Sequence, residues 1–109
     1  MIRLVISASA RRDMAKVLDA SVQGWGVAQG RKYRLLIEQA LNDLLQQPEH
    51  PASRARDEIQ PGVRSFHIAR QGRPARHLIL YRLADTGDLQ VLRLVHDAMD
   101  LPQVRCDLP

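Results

Sequence analysis

Five arginines and two histidines lie close together in this chain and form its most evident candidate for chemistry. Residues 61–82, called the arginine segment below, hold no carboxylate and include Arg64, Arg70, Arg73, Arg76, Arg82, His67 and His77. The segment has a formal charge of +5, and because the whole chain carries +4, the remaining residues sum to −1. Guanidinium groups bind phosphates and carboxylates through paired hydrogen bonds, so the segment predicts a partner of opposite charge.

A second candidate lies after the last apolar run, where His96 is followed by Asp97 and Asp100. A carboxylate beside an imidazole can orient the ring for proton transfer. The alternative is structural, since the same residues can cap the end of a strand or a short final helix. The four histidines show none of the usual metal-ligand spacings, and nucleotide-binding glycine loops are absent, so no metal or cofactor is expected.

Composition limits the class of protein. Cys106 is the only cysteine, which excludes an internal disulfide and favours a reducing, cytoplasmic location. The apolar runs are too short for a membrane span. A length of 109 residues predicts one domain covering 1–109. Only four aromatic residues are present, which weakens the case for stacking single-stranded nucleic acid.

The first elements along the chain are a strand and two helices. Ile2, Leu4 and Ile6 alternate with other residues, as in a strand with one buried face. Ser9 is the expected cap of a short helix, which the glycines around Trp25 interrupt. A second helix follows up to Pro48, with one unbroken apolar stripe: Tyr33, Leu36, Ile37, Ala40, Leu41, Leu44 and Leu45.

The second half of the chain reads as a connection and three strands. Residues 48–61 are polar, contain three prolines and predict a surface connection. Strand-like runs at 63–70, 76–83 and 89–95 are separated by the turn sequences QGRP and DTGD, which predicts an antiparallel meander. The resulting order β-α-α-β-β-β predicts an α+β domain, with a helical hairpin packed on an antiparallel sheet.

The central strand leaves one question open. Alternation puts Arg76, Leu78, Leu80 and Arg82 on one face and His77, Ile79 and Tyr81 on the other. If the leucines face the helices, His77 and Tyr81 emerge on a functional surface. If Ile79 faces the helices, Tyr81 is a core residue with a bonded hydroxyl.

In this order of elements, the chain resembles the ParE branch of the ParE/RelE superfamily, the toxins of type II toxin–antitoxin pairs. The matching features are Trp25-Gly26 at the start of the second helix, Tyr33 within it, and the segments PGVRSF, RHLILYR and VLRLVHDAMD. They occur in the family's order over nearly the whole chain.

The resemblance implies a toxin that inhibits DNA gyrase without covalent chemistry and is neutralised by a cognate acidic, ParD-like antitoxin, in a hetero-oligomer. We expect the partner-binding residues to come from the arginine segment and the His96 region. They are Arg64, Arg70, Arg73, Arg76, His77, Arg82, His96 and Asp100.

Two alternatives remain open. RelE-type relatives cleave messenger RNA on the ribosome, and the residues that would serve this chemistry are Arg64, Arg76, His77, Tyr81, Arg82 and His96. Against it, no lysine follows Lys32, and the final residues VRCDLP contain no Tyr or His-Tyr ending. The second alternative is a basic module that binds nucleic acid through the arginine segment.

Overall fold

Two α-helices and five strands make up the part of the chain that the computed structural model describes, residues 2–70 and 72–106. Their order is β1 (Leu4–Ile6), α1 (Ala8–Trp25), α2 (Val27–Gln46), β2 (Arg54–Ala55), β3 (Arg64–His67), β4 (His77–Leu83) and β5 (Leu89–His96). A 3-10 turn, Leu101–Gln103, follows. The α+β class and the helical hairpin on a sheet are confirmed.

Ser7 caps α1, so the expectation that Ser9 does so is wrong. The Ser7 backbone is extended, as a cap requires, and its Oγ accepts the Ala10 N–H at 3.0 Å. The same hydroxyl donates to the Leu92 carbonyl at 2.8 Å, which ties the start of α1 to β5. At the other end Gly26, at φ +93°, separates α1 from α2 in a one-residue turn.

The predicted apolar stripe of α2 faces the sheet. Leu36, Ile37, Ala40, Leu41 and Leu44 are buried. They pack into the main core, which also contains Phe66, Ile68, Ile79, Tyr81, Leu89 and Leu94. Burial of this stripe is what holds the helical hairpin on the sheet.

The sheet has the order β1-β5-β4-β3-β2. The antiparallel meander of β3, β4 and β5 is confirmed. The sheet as a whole is mixed, because β1 runs parallel to β5, with Leu4 opposite Leu89. Alternation in a sequence reports buried faces but not the direction of a neighbouring strand, so this pairing was not predictable from the pattern.

A fifth strand lies where only a surface connection was expected. Ala55 pairs with Arg64 and so adds β2 to the edge of β3. Two residues are too few to show alternation, so this strand has no sequence pattern by which to predict it.

The far face of the sheet is covered as well. Leu78, Leu80, Leu92 and Val95 form a second apolar cluster with Val63, and the chain after β5 closes over it through Leu101, Val104 and Cys106. Both predicted turns contain a glycine at positive φ, Gly72 at +77° and Gly87 at +90°. Gln71, in the first predicted turn, lies outside the described residues. So do residues 107–109 of the final segment VRCDLP.

Neither described helix combines the length and the apolar character needed to cross a membrane.

Candidate functional site

The sequence predicted that the arginine segment forms one uncompensated surface. In the structure it does not. Arg70 Nε lies 2.8 Å from Asp43 Oδ2, and its guanidinium stacks 4.2 Å from the centre of the Phe66 ring. Arg76 Nη2 lies 3.3 Å from Asp97 Oδ1. These carboxylates come from α2 and from the end of β5. A charge count along the sequence misses them because they are distant in the chain.

The other three arginines lie apart. Arg64, level with Tyr81 on the helix-covered face, donates from Nε and Nη2 to Ser53 Oγ at 3.0 and 2.8 Å. Arg82 follows Leu80 on the far face, and its Nε is buried without a hydrogen-bond partner. Arg73 is exposed and has no side-chain ion pair among the described residues. The segment is therefore divided between both faces of the sheet.

Tyr81 belongs to the core, which answers the question that strand alternation left open. Ile79 faces the helices, Tyr81 is fully buried beside it, and the Tyr81 hydroxyl donates to the Pro48 carbonyl at 2.5 Å. Its ring and its hydroxyl are therefore unavailable to a ligand. Asp100, another predicted site residue, is exposed before the 3-10 turn and makes no side-chain capping hydrogen bond.

Two predicted histidines do come together with a tyrosine from α2. His77 and His96 are opposite each other in the β4–β5 pairing, with ring centres 5.4 Å apart. The Tyr33 hydroxyl lies 2.5 Å from His77 Nδ1. We call these three residues the imidazole cluster. The sequence identified both histidines, but it placed Tyr33 only in the apolar stripe of α2.

Backbone hydrogen bonds bear on the protons in the imidazole cluster. The Arg76 N–H donates to the Tyr33 oxygen at 3.1 Å. The donor in the bond between the Tyr33 hydroxyl and His77 Nδ1 depends on the tautomer of His77. His96 Nδ1 accepts the Ala98 N–H at 3.0 Å, which places the proton of neutral His96 on Nε2.

Burial sets the protonation of two members of this cluster. Burial lowers the pKa of His77 below its ordinary value, and the neighbouring His96 lowers it further. Burial raises the pKa of Tyr33, against the effect of the hydrogen bond from the Arg76 backbone. At neutral pH, therefore, His77 is uncharged and Tyr33 keeps its hydroxyl proton.

Asp97 is the acidic neighbour of this cluster. It accepts from His67 Nε2 at 3.1 Å, lies 3.3 Å from Arg76 Nη2 and is 3.5 Å from His96 Nδ1. The hydrogen bond from His67 holds the pKa of Asp97 below its ordinary value, while burial opposes the shift. The sequence suggested that Asp97 could orient His96. In the structure His96 Nδ1 instead accepts the Ala98 N–H, and the main partners of Asp97 are His67 and Arg76.

The cluster opens into a groove of about 440 Å³ between the helices and the ends of β4 and β5. We call it the Trp25 pocket. Val17 and Ala20 give it apolar surface, and its polar and aromatic lining comes from Lys16, Ser21, Trp25, Gln29, Tyr33, Arg76, His77 and His96. Trp25 is 80% exposed. No carboxylate is among the described residues that line the groove, which suits an anion with an apolar body.

Sequence reasoning missed half of this pocket. The sequence identified Trp25 only as part of a turn and of the family resemblance, and it did not identify Lys16. Their spacing of nine residues on α1 gives no sign of a shared site, because it turns the helix by about 180°. No group of three metal-binding side chains occurs within residues 2–70 and 72–106.

Comparison with known proteins finds similarity over nearly the whole chain. The family model described as the ParE toxin of the type II toxin-antitoxin system parDE matches residues 4–101. A curated relative, Toxin ParE1 of Mycobacterium tuberculosis, is 28% identical over 99 residues, covering 91% of this chain and 93% of the relative. The same match is found in the strains CDC 1551 / Oshkosh and ATCC 25618 / H37Rv.

Solved structures share the fold. A chain of the chromosomal ParDE TA system from P. aeruginosa superposes with a TM-score of 0.72 at 23% identity, covering 88% of this chain and 96% of that one. A chain of the toxin-antitoxin complex RelBE2 from Mycobacterium tuberculosis gives a TM-score of 0.58 at 24% identity, covering 87% and 96%. At these identities the likeness concerns the fold alone.

Proposed function

This chain belongs to the ParE toxin family of type II toxin–antitoxin systems, and we propose that it inhibits DNA gyrase by binding and is neutralised by a cognate antitoxin. The observation that carries the proposal is the family match over residues 4–101, which spans every helix and strand of the domain. The act we propose is non-covalent. It requires a contact surface on the toxin and no reaction centre.

An acidic, ParD-like antitoxin fits the charge of this toxin. The chain carries a net charge of +4, and the solved relatives are described as toxin–antitoxin systems. Complementary charge speeds the association of such partners and helps to select the correct one. Among the predicted contact residues, Arg73, Arg76, His96 and Asp100 are exposed, and they are the ones we propose for a hetero-oligomeric interface.

A ribosome-dependent messenger RNA endonuclease is the second candidate, favoured by one observation. Arg76, His77 and His96 converge in the Trp25 pocket with Tyr33, and such groups can move protons and neutralise charge. The other residues assigned to this activity do not join them, since Tyr81 is buried and Arg64 and Arg82 lie on opposite faces. This separation supports the binding inhibitor over the nuclease.

The proposed target is tested with purified components. We expect the folded protein to inhibit the supercoiling of relaxed plasmid DNA by gyrase, and an excess of antitoxin to restore it. In cells, expression of the toxin alone should arrest growth with DNA damage signalling, and coexpression of the antitoxin should relieve the arrest. The toxin–antitoxin complex serves as the matched control.

Primer extension on messages after induction separates the two candidates. The gyrase inhibitor leaves messages uncut, whereas the endonuclease leaves cuts at fixed codon positions. Normal supercoiling in the presence of folded toxin, together with such cuts, would replace the first proposal by the second. Salt-dependent binding to naked DNA, without either effect, would instead identify a basic nucleic-acid-binding module.

A further inference from the structure

The apolar half of the Trp25 pocket presents an aromatic surface that the fold does not use. Trp25 is the only tryptophan of the chain, and 80% of its surface is exposed. Large aromatic side chains normally bury most of their surface because that burial is favourable. Here the indole forms one wall of a groove whose apolar surface also includes Val17 and Ala20. A planar ligand can stack on it.

The polar half of the pocket offers hydrogen-bond donors. Arg76 and Lys16 contribute charged donors, and the hydrogen bond from Ala98 leaves a proton on His96 Nε2. The Tyr33 hydroxyl is already engaged by the Arg76 N–H and by His77 Nδ1. Gln29 and Ser21 also line the pocket and can donate as well as accept, so donors outnumber acceptors and favour a ligand that supplies acceptors.

The charges around the pocket favour an anion. Lys16 comes from α1 and Arg76 from the segment before β4, and no carboxylate lines the groove among the described residues. Asp97 is the nearby acidic group, held by His67 at 3.1 Å and by Arg76 at 3.3 Å. This ion pair fixes Arg76 at the edge of the pocket. Arg76 remains 68% exposed and can bind a second anion.

We propose that the Trp25 pocket is a nucleotide site, with the base stacked on the Trp25 indole and the phosphate bound by Arg76, Lys16 and the His96 imidazole N–H. A phosphate monoester supplies three acceptor oxygens, which matches donors arriving from three elements better than the two oxygens of a carboxylate. The base accounts for the exposed indole, which an isolated anion would leave unused. This site is independent of gyrase inhibition.

Trp25 provides a direct measurement, because no other tryptophan contributes to the emission. Adenosine 5′-monophosphate, titrated into the purified full chain, is expected to quench Trp25 emission, with a matching heat in calorimetry. Adenosine alone and inorganic phosphate alone are expected to bind at least about tenfold more weakly, since each occupies only half of the pocket. If the monophosphate changes neither the emission nor the heat, the proposal is overturned.

Two lysines and two arginines form matched pairs for mutation. Lys16→Gln and Arg76→Gln are each expected to weaken binding of the monophosphate about tenfold. Lys32→Gln and Arg73→Gln remove the same charges outside the pocket and are expected to leave binding unchanged. All four side chains are exposed, so circular dichroism should show a folded protein in each case. Equal losses in all four variants would reduce the site to general charge attraction and overturn it.

The source of the nucleotide is distinguished with a short single-stranded oligonucleotide bearing a 5′-phosphate. Binding more than about tenfold tighter than the monophosphate identifies a nucleic-acid strand as the source, and equal binding identifies a free nucleotide. Both results support the site. Quenching of Trp25 by an acidic peptide that the monophosphate cannot displace would overturn it and identify a protein partner instead.

Discussion

His77 is the residue whose surroundings most restrict its chemistry. Its Nδ1 is hydrogen-bonded to the Tyr33 hydroxyl, its ring lies against His96, and its side chain is partly buried. Burial lowers its pKa, so folding favours the neutral ring. A charged His77 could only donate to the Tyr33 oxygen, which already accepts the Arg76 N–H, because both of its ring nitrogens would then be donors.

This environment predicts a pH-dependent stability. Because the pKa of His77 is lower in the folded state, the unfolded chain binds more protons once the pH falls below the ordinary histidine value of about 6.5. Stability contributed by neutral His77 is complete above that pH and is lost as the pH falls toward the folded-state pKa. His77→Asn keeps an acceptor for Tyr33 but cannot be protonated.

Thermal melts of both proteins between about pH 7.5 and pH 5.5 measure this difference. We expect the melting temperature of the original chain to fall more steeply than that of His77→Asn. The lowered pKa of Asp97 affects the stability of the fold in a separate, more acidic pH range. Parallel slopes for the two proteins would show that His77 does not control this transition.

The helical hairpin is the element on which both the core and the pocket depend. α1 and α2 approach closely at Gly30, where an added Cβ would lie 2.5 Å from Val22 Cγ2. Valine has one strongly preferred rotamer in a helix and cannot easily turn away. At Gly24, in α1, an added Cβ would meet no atom within 4 Å.

These two glycines form a matched pair. Gly30→Ala is expected to destabilise the domain by about 1–3 kcal/mol through overpacking, despite the better helix propensity of alanine. Gly24→Ala is expected to stabilise it by about 0.5–1 kcal/mol. Chemical denaturation measures both. Val22→Ala should restore stability to Gly30→Ala, and a failure to do so would place the strain elsewhere.

The apolar stripe of α2 predicts a second contrast. Leu41 is 8% exposed in the main core, whereas Leu35 on the same helix is 44% exposed. Leu41→Asp is expected to cost at least about 4 kcal/mol, since it removes apolar contacts and buries a charge. Leu35→Asp should cost less than about 1 kcal/mol. Comparable losses in thermal melts would mean that the stripe is misplaced relative to the sheet.

The sequence predicted the elements that have long periodic patterns. The stripe of α2 and the three strands of the meander have enough residues to show a period, and all were confirmed. The Ser7 cap, the two-residue strand β2 and the parallel pairing of β1 depend on contacts with distant segments. No local pattern encodes such contacts, so they were missed or misplaced.

At the scale of the whole molecule, the sheet is enclosed on both faces. The helices cover one face, and the chain after β5 covers the other through Leu101, Val104 and Cys106. Val104 is 9% exposed, and its neighbour Arg105 is exposed. The final described segment is therefore part of the folded domain.

This enclosure predicts that the segment after β5 is needed for stability. Val104→Asp should lower stability by about 2–4 kcal/mol, because a charge would enter the apolar cluster beneath it. Arg105→Asp, one residue away, should change it by less than about 1 kcal/mol. Denaturant titration compares the two, and equal values would indicate that the segment contributes little to the fold.

The candidate site was predictable only in part, for the same reason as the fold. Strand alternation and the position of His96 identified His77 and His96, but their neighbours Trp25 and Lys16 come from α1. The arginine segment was misjudged because Asp43 and Asp97, which neutralise two of its members, lie outside it in the chain. Tertiary contacts, unlike composition, decide which charges remain free.

Because the first strand pairs with the last, the native fold of this toxin can form only late in synthesis. β1 and the start of α1 are held by β5 through the Leu4–Leu89 pairing, the Ser7–Leu92 hydrogen bond and the ion pair of Asp13 with Arg93. During translation the N-terminal third must wait for β5 to be synthesised before it can adopt its native contacts. The N-terminal third therefore cannot complete its native contacts before synthesis has passed His96, the last residue of β5.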